Sequence, residues 1–431
     1  MQSIESLYTL LKDKLYLITT DSRKVQVGSI FLTLKGPNFN GNSFVEEALK
    51  KGAEYVICDE ISNNDNRVIT VQDAYETLVQ LASLHRSKLA VKVIALTGTN
   101  GKTTTKELLY HIFKTTFKSY CTQGNLNNHI GVPLTLLQLN DSHEFLILEM
   151  GANKLGDIEE LCKIADPDYG LITNIGKAHL EGFHSQLGIL QTKTELFDYL
   201  NKKNSRIFFN LDSELLKTKL KEYNNIVSYG SSSLNANYFF KMEKEFPSIL
   251  LSVATEKATA QFHSPLFGNH NFENLMAAIT IGLHFNISVE DIQSGIESYV
   301  PKNMRSQILQ WKDNTIILDA YNANPSSMSK SIQSLASFEG ARKWVVLGEM
   351  AELGNYSKEE HQLLLESVQT HKFEKIILVG NEFKNLITDR NFIWFENADQ
   401  CKAWWKENEP KNATVLIKGS RSVGLEILVA D

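Results

Sequence analysis

Apolar and polar positions change rhythm along this chain, and the changes divide it into three parts. Up to about residue 90, short apolar runs at 29–34 and 55–58 alternate with stretches at 44–51 and 73–88. In those stretches apolar residues recur three and four positions apart. The short runs predict strands and the recurring spacing predicts amphipathic helices, so this part reads as a small α/β unit. From residue 91 the runs become nearly continuous. Strands are predicted at 91–96, 145–150, 170–175 and 206–210, with helices such as 107–117 between them. A run like Phe145-Leu146-Ile147-Leu148 suits a strand covered on both faces of a parallel sheet. The segment 232–257 is the most polar and least patterned, which suits an insertion or hairpin. Near Pro301 a third alternation starts, with strands predicted at 316–318, 344–347, 376–379, 392–395 and 414–417. It reads as a second parallel α/β sheet, Rossmann-like, binding ligands at the carboxyl ends of its strands.

A chain of 431 residues exceeds one ordinary core, so two to four domains are expected. The pattern places them at 1–90, 91–300 and 301–431, all α/β. The net charge of −6 argues against nucleic acid as a partner, which would need a basic face. The four cysteines, Cys58, Cys121, Cys162 and Cys401, form no CxxC pair and suit reduced thiols rather than zinc or disulfides. No signal peptide and no long apolar span is visible, so a cytoplasmic protein is expected.

Specific chemistry begins where the strand at 91–96 runs into Thr97-Gly98-Thr99-Asn100-Gly101-Lys102-Thr103-Thr104 and then a helix. Two glycines let backbone N–H groups approach phosphate oxygens, and the helix start adds partial positive charge. Lys102 can reach terminal phosphates, and Thr103 can offer a hydroxyl to Mg²⁺. The common phosphate loop has a glycine five residues before Gly101, where this chain has Leu96. Glu149 stands at a strand end, a position that suits Mg²⁺, a cation that prefers oxygen ligands. His179 and Lys193 also follow predicted elements. Pattern alone does not separate them from structural and surface residues.

Taken in order, these motifs resemble the Mur ligases of peptidoglycan synthesis. GTNGKTTTKE at 98–107 is similar to the loop shared by Mur ligases and folylpolyglutamate synthases. GNLNN at 124–128 with IGVPL at 130–134, and NIGKAHLE at 174–181, resemble narrower family motifs. So do DAYNANP at 319–325, LGEMAELG at 347–354 and KGSR at 418–421. TDSR at 20–23 with LKG at 34–36 is similar to the UDP-sugar-binding domain of the family.

The resemblance implies roles. Gly98, Thr99, Asn100, Gly101, Lys102, Thr103 and Thr104 would hold ATP phosphates. His270, Asn271 and Asn274 would lie on the adenine side. Arg305 and Asp319 would reach phosphate and ribose from the third domain. Thr103 and Glu149 would bind one Mg²⁺, and His179 with a carbamylated Lys193 a second. Lys102, His179, Lys193 and Arg305 form the implied catalytic set. Ser22, Arg23, Asn127, Asn128 and Asn322 would meet substrates. Those substrates would be UDP-MurNAc-tripeptide and D-Ala-D-Ala, joined by a monomer through an acyl phosphate. Two alternatives stand beside this: another carboxylate–amine ligase, including folylpolyglutamate synthase, and a regulatory phosphate-loop switch.

Overall fold

The computed structural model describes residues 3–60, 65–177, 180–183, 185–254, 259–302, 304–338, 342–387 and 391–430. Near the N-terminus, helix α1 (Ile4–Leu11) precedes four parallel strands in the order β1 (Ile18–Thr19), β2 (Ile30–Leu32), β3 (Tyr55–Cys58), β4 (Val68–Thr70). Helix α2 (Ala74–Lys88) follows, and Asp73 caps it by accepting the Glu76 N–H. Leu7 and Leu11 on α1 and Leu78 and Leu81 on α2 share a core with Ile30 and Leu32.

The far side of α2 packs on the central unit. There Arg86, only 8% exposed, donates to the carbonyls of Ala165 (2.9 Å), Asp166 (3.0 Å) and Leu89 (3.3 Å). It also pairs with Asp168 at 3.1 Å.

The central sheet is built from β5 (Lys92–Thr97), helix α3 (Lys102–Phe113), β6 (Ser119–Cys121), β7 (Phe145–Glu149), helix α4 (Asp157–Ala165) and β8 (Tyr169–Ile172). Helix α5 (Gln186–Lys202) leads to β9 (Arg206–Asn210), β10 (Ile226–Gly230), β11 (Tyr238–Lys244), β12 (Ile249–Ala254), β13 (Thr259–Ser264) and helix α6 (Asn269–His284). The strand order is β13-β12-β11-β10-β9-β8-β5-β7-β6. All pairs are parallel except β11–β12 and β12–β13. Strand β5 therefore lies between β8 and β7, and the carboxyl ends of these three strands meet.

Two boundaries moved for physical reasons. Strand β8 stops at Ile172 because Thr173 and Asn174 turn their side chains to the phosphate loop. Helix α3 starts at Lys102, five residues earlier than apolar spacing suggests, because left-handed Gly101 turns the chain straight into it. The polar segment 232–257 contributes β11 and β12. Phe240, Leu251 and Val253 are buried, but exposed neighbours dilute the signal.

The third unit holds β14 (Gln307–Trp311), β15 (Asn314–Asp319), helix α7 (Pro325–Ser337), β16 (Lys343–Gly348), helix α8 (Ser357–Gln369), β17 (Lys375–Val379), β18 (Phe392–Phe395) and β19 (Thr414–Lys418). Its order is β14-β15-β19-β16-β17-β18. Every pair is parallel except the edge hairpin β14–β15, an addition to the all-parallel expectation. Among the described residues, no helix is long and apolar enough to cross a membrane.

Candidate active site

Strand β5 delivers the chain into the loop Gly98–Gly101, and α3 carries it away. Both glycines have positive φ, 144° and 78°. A Cβ on Gly98 would stand 2.0 Å from Thr173 Oγ1, and one on Gly101 would stand 2.1 Å from Asn274 Oδ1. The loop can lie this close to its neighbours only without side chains there. Thr99 N donates to Asn174 O (2.9 Å) and Asn100 N to Asn174 Oδ1 (3.0 Å). Lys102 Nζ rests on the loop's own carbonyls, Gly98 O (2.8 Å) and Thr99 O (3.0 Å). Burial lowers the Lys102 pKa; Glu149 opposes that shift and Arg305 adds to it.

These groups line a cavity of about 290 Å³ between the central and third sheets. Glu149, at the end of β7, is 2% exposed. Its Oε1 accepts from Asn127 Nδ2 at 2.8 Å, while Oε2 is buried with no hydrogen-bond partner among the described residues. Such an orphan oxygen is costly unless a ligand meets it. Lys193, on α5, is 3% exposed and lies over the Phe183 ring at 5.3 Å. Burial first, and then the charge of Lys102, bring its pKa down to about 7. Among the described residues no three His, Cys, Asp or Glu side chains gather into a metal site.

The other wall comes from α6 and the third sheet. Asn274 Oδ1 accepts from Thr105 Oγ1 (3.2 Å), and its Nδ2 donates to Asn271 Oδ1 (3.2 Å). His270 is half-buried, and loss of solvation lowers its pKa to about 4 and keeps the ring neutral. Asp319, at the end of β15, receives Lys418 Nζ at 2.5 Å and Ser306 N at 3.1 Å. Burial pushes the Asp319 pKa up, but Lys418, His270 and the Ser306 N–H together outweigh it and the net shift is downward. The Arg305 guanidinium lies 3.8 Å from the centre of the Tyr321 ring, facing the cavity.

Of the residues singled out from sequence, all of Gly98 to Thr104 line this cavity, with Asn127, Glu149 and Lys193. His270, Asn271, Asn274, Arg305, Asp319 and Asn322 line it too. His179 lies outside the described residues. Ser22 and Arg23 are not in the lining. Arg23 is exposed on the first unit and paired with Asp21 at 2.8 Å. Asn128 is also not in the lining; its Oδ1 accepts the N–H groups of Ile130 (3.1 Å) and Gly131 (2.9 Å).

The structure adds Lys418, Asn324, Lys330 and Ser306 to the lining. Lys418 and Asn324 stood inside quoted motifs and could have been named. Nothing in the sequence around Lys330 or Ser306 marks them.

Residues 96–282 match the family model described as the Mur ligase middle domain. Residues 304–421 match the Mur ligase glutamate ligase domain, and 14–87 the Mur ligase family catalytic domain. The chain is 34% identical to the UDP-N-acetylmuramoyl-tripeptide–D-alanyl-D-alanine ligase of Bacillus subtilis (strain 168), over 96% of this chain and 92% of that one. It superposes on a crystal structure of MurF from Acinetobacter baumannii with a TM-score of 0.87, at 31% identity, covering 95% of this chain and 92% of that one. For the MurF ligase of Thermotoga maritima in complex with ADP the TM-score is 0.85, at 28% identity and 96% of both chains.

Proposed function

The chain belongs to the Mur ligase family, and we propose that it joins D-alanyl-D-alanine to UDP-N-acetylmuramoyl-tripeptide with ATP as the second substrate. One observation carries the chemistry. A phosphate loop, a buried carboxylate with one oxygen unpartnered among the described residues, and Arg305 and Asp319 from the third unit face one cavity. A nucleotide switch needs no such second wall.

A carboxylate is a poor electrophile. The tripeptide carboxylate oxygen attacks the γ-phosphorus of ATP, and ADP leaves. The dipeptide amine then attacks the acyl phosphate carbonyl and loses a proton, and phosphate departs. Loop N–H groups from Gly98 to Thr104 and the start of α3 receive the phosphates. Lys102 moves from the carbonyls of Gly98 and Thr99 to the phosphate oxygens. Arg305 faces the same charge from the opposite wall. His270, Asn271 and Asn274 take the adenine side, and Asp319 the ribose. Asn127 steadies Glu149, and Asn322 lies where the dipeptide enters. Ser22 and Arg23 serve the UDP-sugar on the first domain, and Asn128 shapes the loop that presents Asn127. We place the domain borders near residues 90 and 300, in a monomer acting in the cytoplasm.

The donor set fits magnesium. The orphan Glu149 Oε2 and the Thr103 hydroxyl are hard oxygens beside the phosphate loop. They would hold one Mg²⁺, and His179 with Lys193 a second. Bound there, the ions would neutralise phosphate charge. An ammonium cannot bind a cation, so Lys193 must change. A buried amine with a pKa of about 7 is substantially neutral near that pH. It can add CO₂, lose one proton and become an anionic carbamate. Lys193→Ala should then regain activity with added short carboxylates; a folded variant that does not respond counts against the carbamate.

The deciding experiment is ligation with defined UDP-muramoyl peptides, ATP, Mg²⁺ and either D-Ala-D-Ala, single amino acids or glutamate, read by product mass. A pentapeptide product with D-Ala-D-Ala alone is expected. A product with glutamate or a single amino acid instead would overturn the assignment.

A further inference from the structure

Asn100 belongs to the phosphate loop by its backbone, yet its side chain leaves the loop. Its Nδ2 donates to Ser326 Oγ at 3.2 Å, and its Oδ1 accepts from Asn324 Nδ2 at 2.8 Å. Both partners open helix α7 of the third domain. Asn324 is the helix cap: its Oδ1 accepts Ser327 N at 2.9 Å, and Ser327 Oγ returns the contact to Asn324 N at 3.1 Å. One half of this amide is thus tied to its own helix and the other half to the phosphate loop. Ser326 Oγ also lies 3.2 Å from Lys177 O, beyond the end of β8. A Cβ on Gly176 would stand 2.5 Å from that same oxygen, so only glycine permits the approach.

We propose that Asn324 and Ser326 are positioning residues that register the third domain against the phosphate loop and keep amide formation tied to phosphoryl transfer. The proposal rests on the ligase reading above. The stretch between β15 and α7 carries Tyr321 and Asn322, which line the cavity, so a shift of the α7 start moves that wall. Acyl phosphate formation needs ATP and the UDP-linked carboxylate, whereas its capture needs the amine in place. With the wall displaced, water reaches the acyl phosphate and phosphate is lost without a peptide bond.

Asn324→Ser separates the two roles of the side chain. Serine caps helices about as well as asparagine, but its hydroxyl is too short to span to Asn100. Ser326→Ala removes the second bond, and with it the 3.2 Å contact of Ser326 Oγ with Asn324 Oδ1, but keeps the reciprocal Asn324–Ser327 capping bonds. Each variant, the pair together and Asn324→Ala should be compared with wild type at saturating ATP, Mg²⁺ and both substrates. Phosphate release, amide product mass and melting temperature are the readouts. For Asn324→Ser and Ser326→Ala, amide turnover should fall by about tenfold or more while melting stays at the wild-type value. Phosphate released per amide should rise above one. Wild-type turnover with one phosphate per amide in these variants would overturn the proposal. So would an equal fall in both rates, or a defect confined to Asn324→Ala, which would reduce Asn324 to a cap. Wild type that makes no amide would instead count against the ligase reading.

Discussion

At the joint with the first domain, Arg86 is buried and hydrogen-bonded to backbone carbonyls of the central one. At the joint with the third, Asn100, Asn324 and Ser326 meet at the rim of a cavity. The first joint is continuous with the core through α1 and α2 and contains His85, whose ring bridges Tyr8 (3.0 Å) and Leu139 O (2.9 Å). The second carries the ring contact of Phe246 with Phe338 and a share of the same core, with Phe267 and Leu335 in one buried cluster, and ion pairs such as Lys330–Glu273 (2.8 Å) and Lys177–Glu360 (2.7 Å) around it. Buried guanidinium–carbonyl bonds are lost only together with their solvation, so the first joint is stiff. Partly exposed pairs exchange readily with water, so the second can open to admit ligands. The proposed reaction places its groups at the second joint, where motion and exclusion of water are both required.

The largest expected difference between the joints is in activity. Lys102→Ala, at the polar joint, should lower amide formation by about a thousandfold or more and leave the melting curve in place. A folded variant ligating at the wild-type rate would remove the phosphate loop from the mechanism. Next comes stability at the buried joint. Arg86→Ala should cost about 3 kcal/mol in denaturant titration, because the carbonyls of Ala165 and Asp166 lose a charged donor. A loss below 1 kcal/mol, in the range of ordinary surface pairs, would contradict a stiff first joint.

A smaller effect concerns acid. Burial pushes the His85 pKa below its ordinary 6.5, so the native state binds this proton less readily than the unfolded chain. Its contribution is whole above pH 6.5 and is lost as pH falls through the lowered value. Wild type should therefore lose more stability than His85→Gln between neutral pH and about pH 5. Equal losses would mean that His85 does not report on the joint. The smallest effect belongs to Lys330→Met, which should cost less than about 1 kcal/mol and less still in salt. A loss of several kcal/mol would make the second joint as stiff as the first.

The site was legible where its residues are neighbours in the chain. Gly98 to Thr104 could be read directly because strand, loop and helix follow one another without a break. Glu149 could be read from its place at a strand end. Lys193 could not be read from pattern: position 193 on a helix looks like surface, and only the packing of Phe183 and the central core makes it a buried amine. Asn128 is the opposite case. It sits in a conspicuous asparagine run, yet its Oδ1 accepts the N–H groups two and three residues on. In the fold, β11, β12 and the edge strand β14 were the hardest to see. A strand with exposed positions along it has no continuous apolar run to mark it.

By itself the amino-acid order determined three α/β units, the phosphate loop and the family motifs that name its chemistry. Those properties come from periodicity and from residues within a few positions of one another. Only the tertiary structure decided that one Glu149 oxygen has no partner among the described residues, that burial brings Lys193 down to a pKa of about 7, and that Asn100 reaches α7. Desolvation and hydrogen bonding act through space. Asn100 and Asn324, more than two hundred positions apart, become partners only once two sheets close on one cavity.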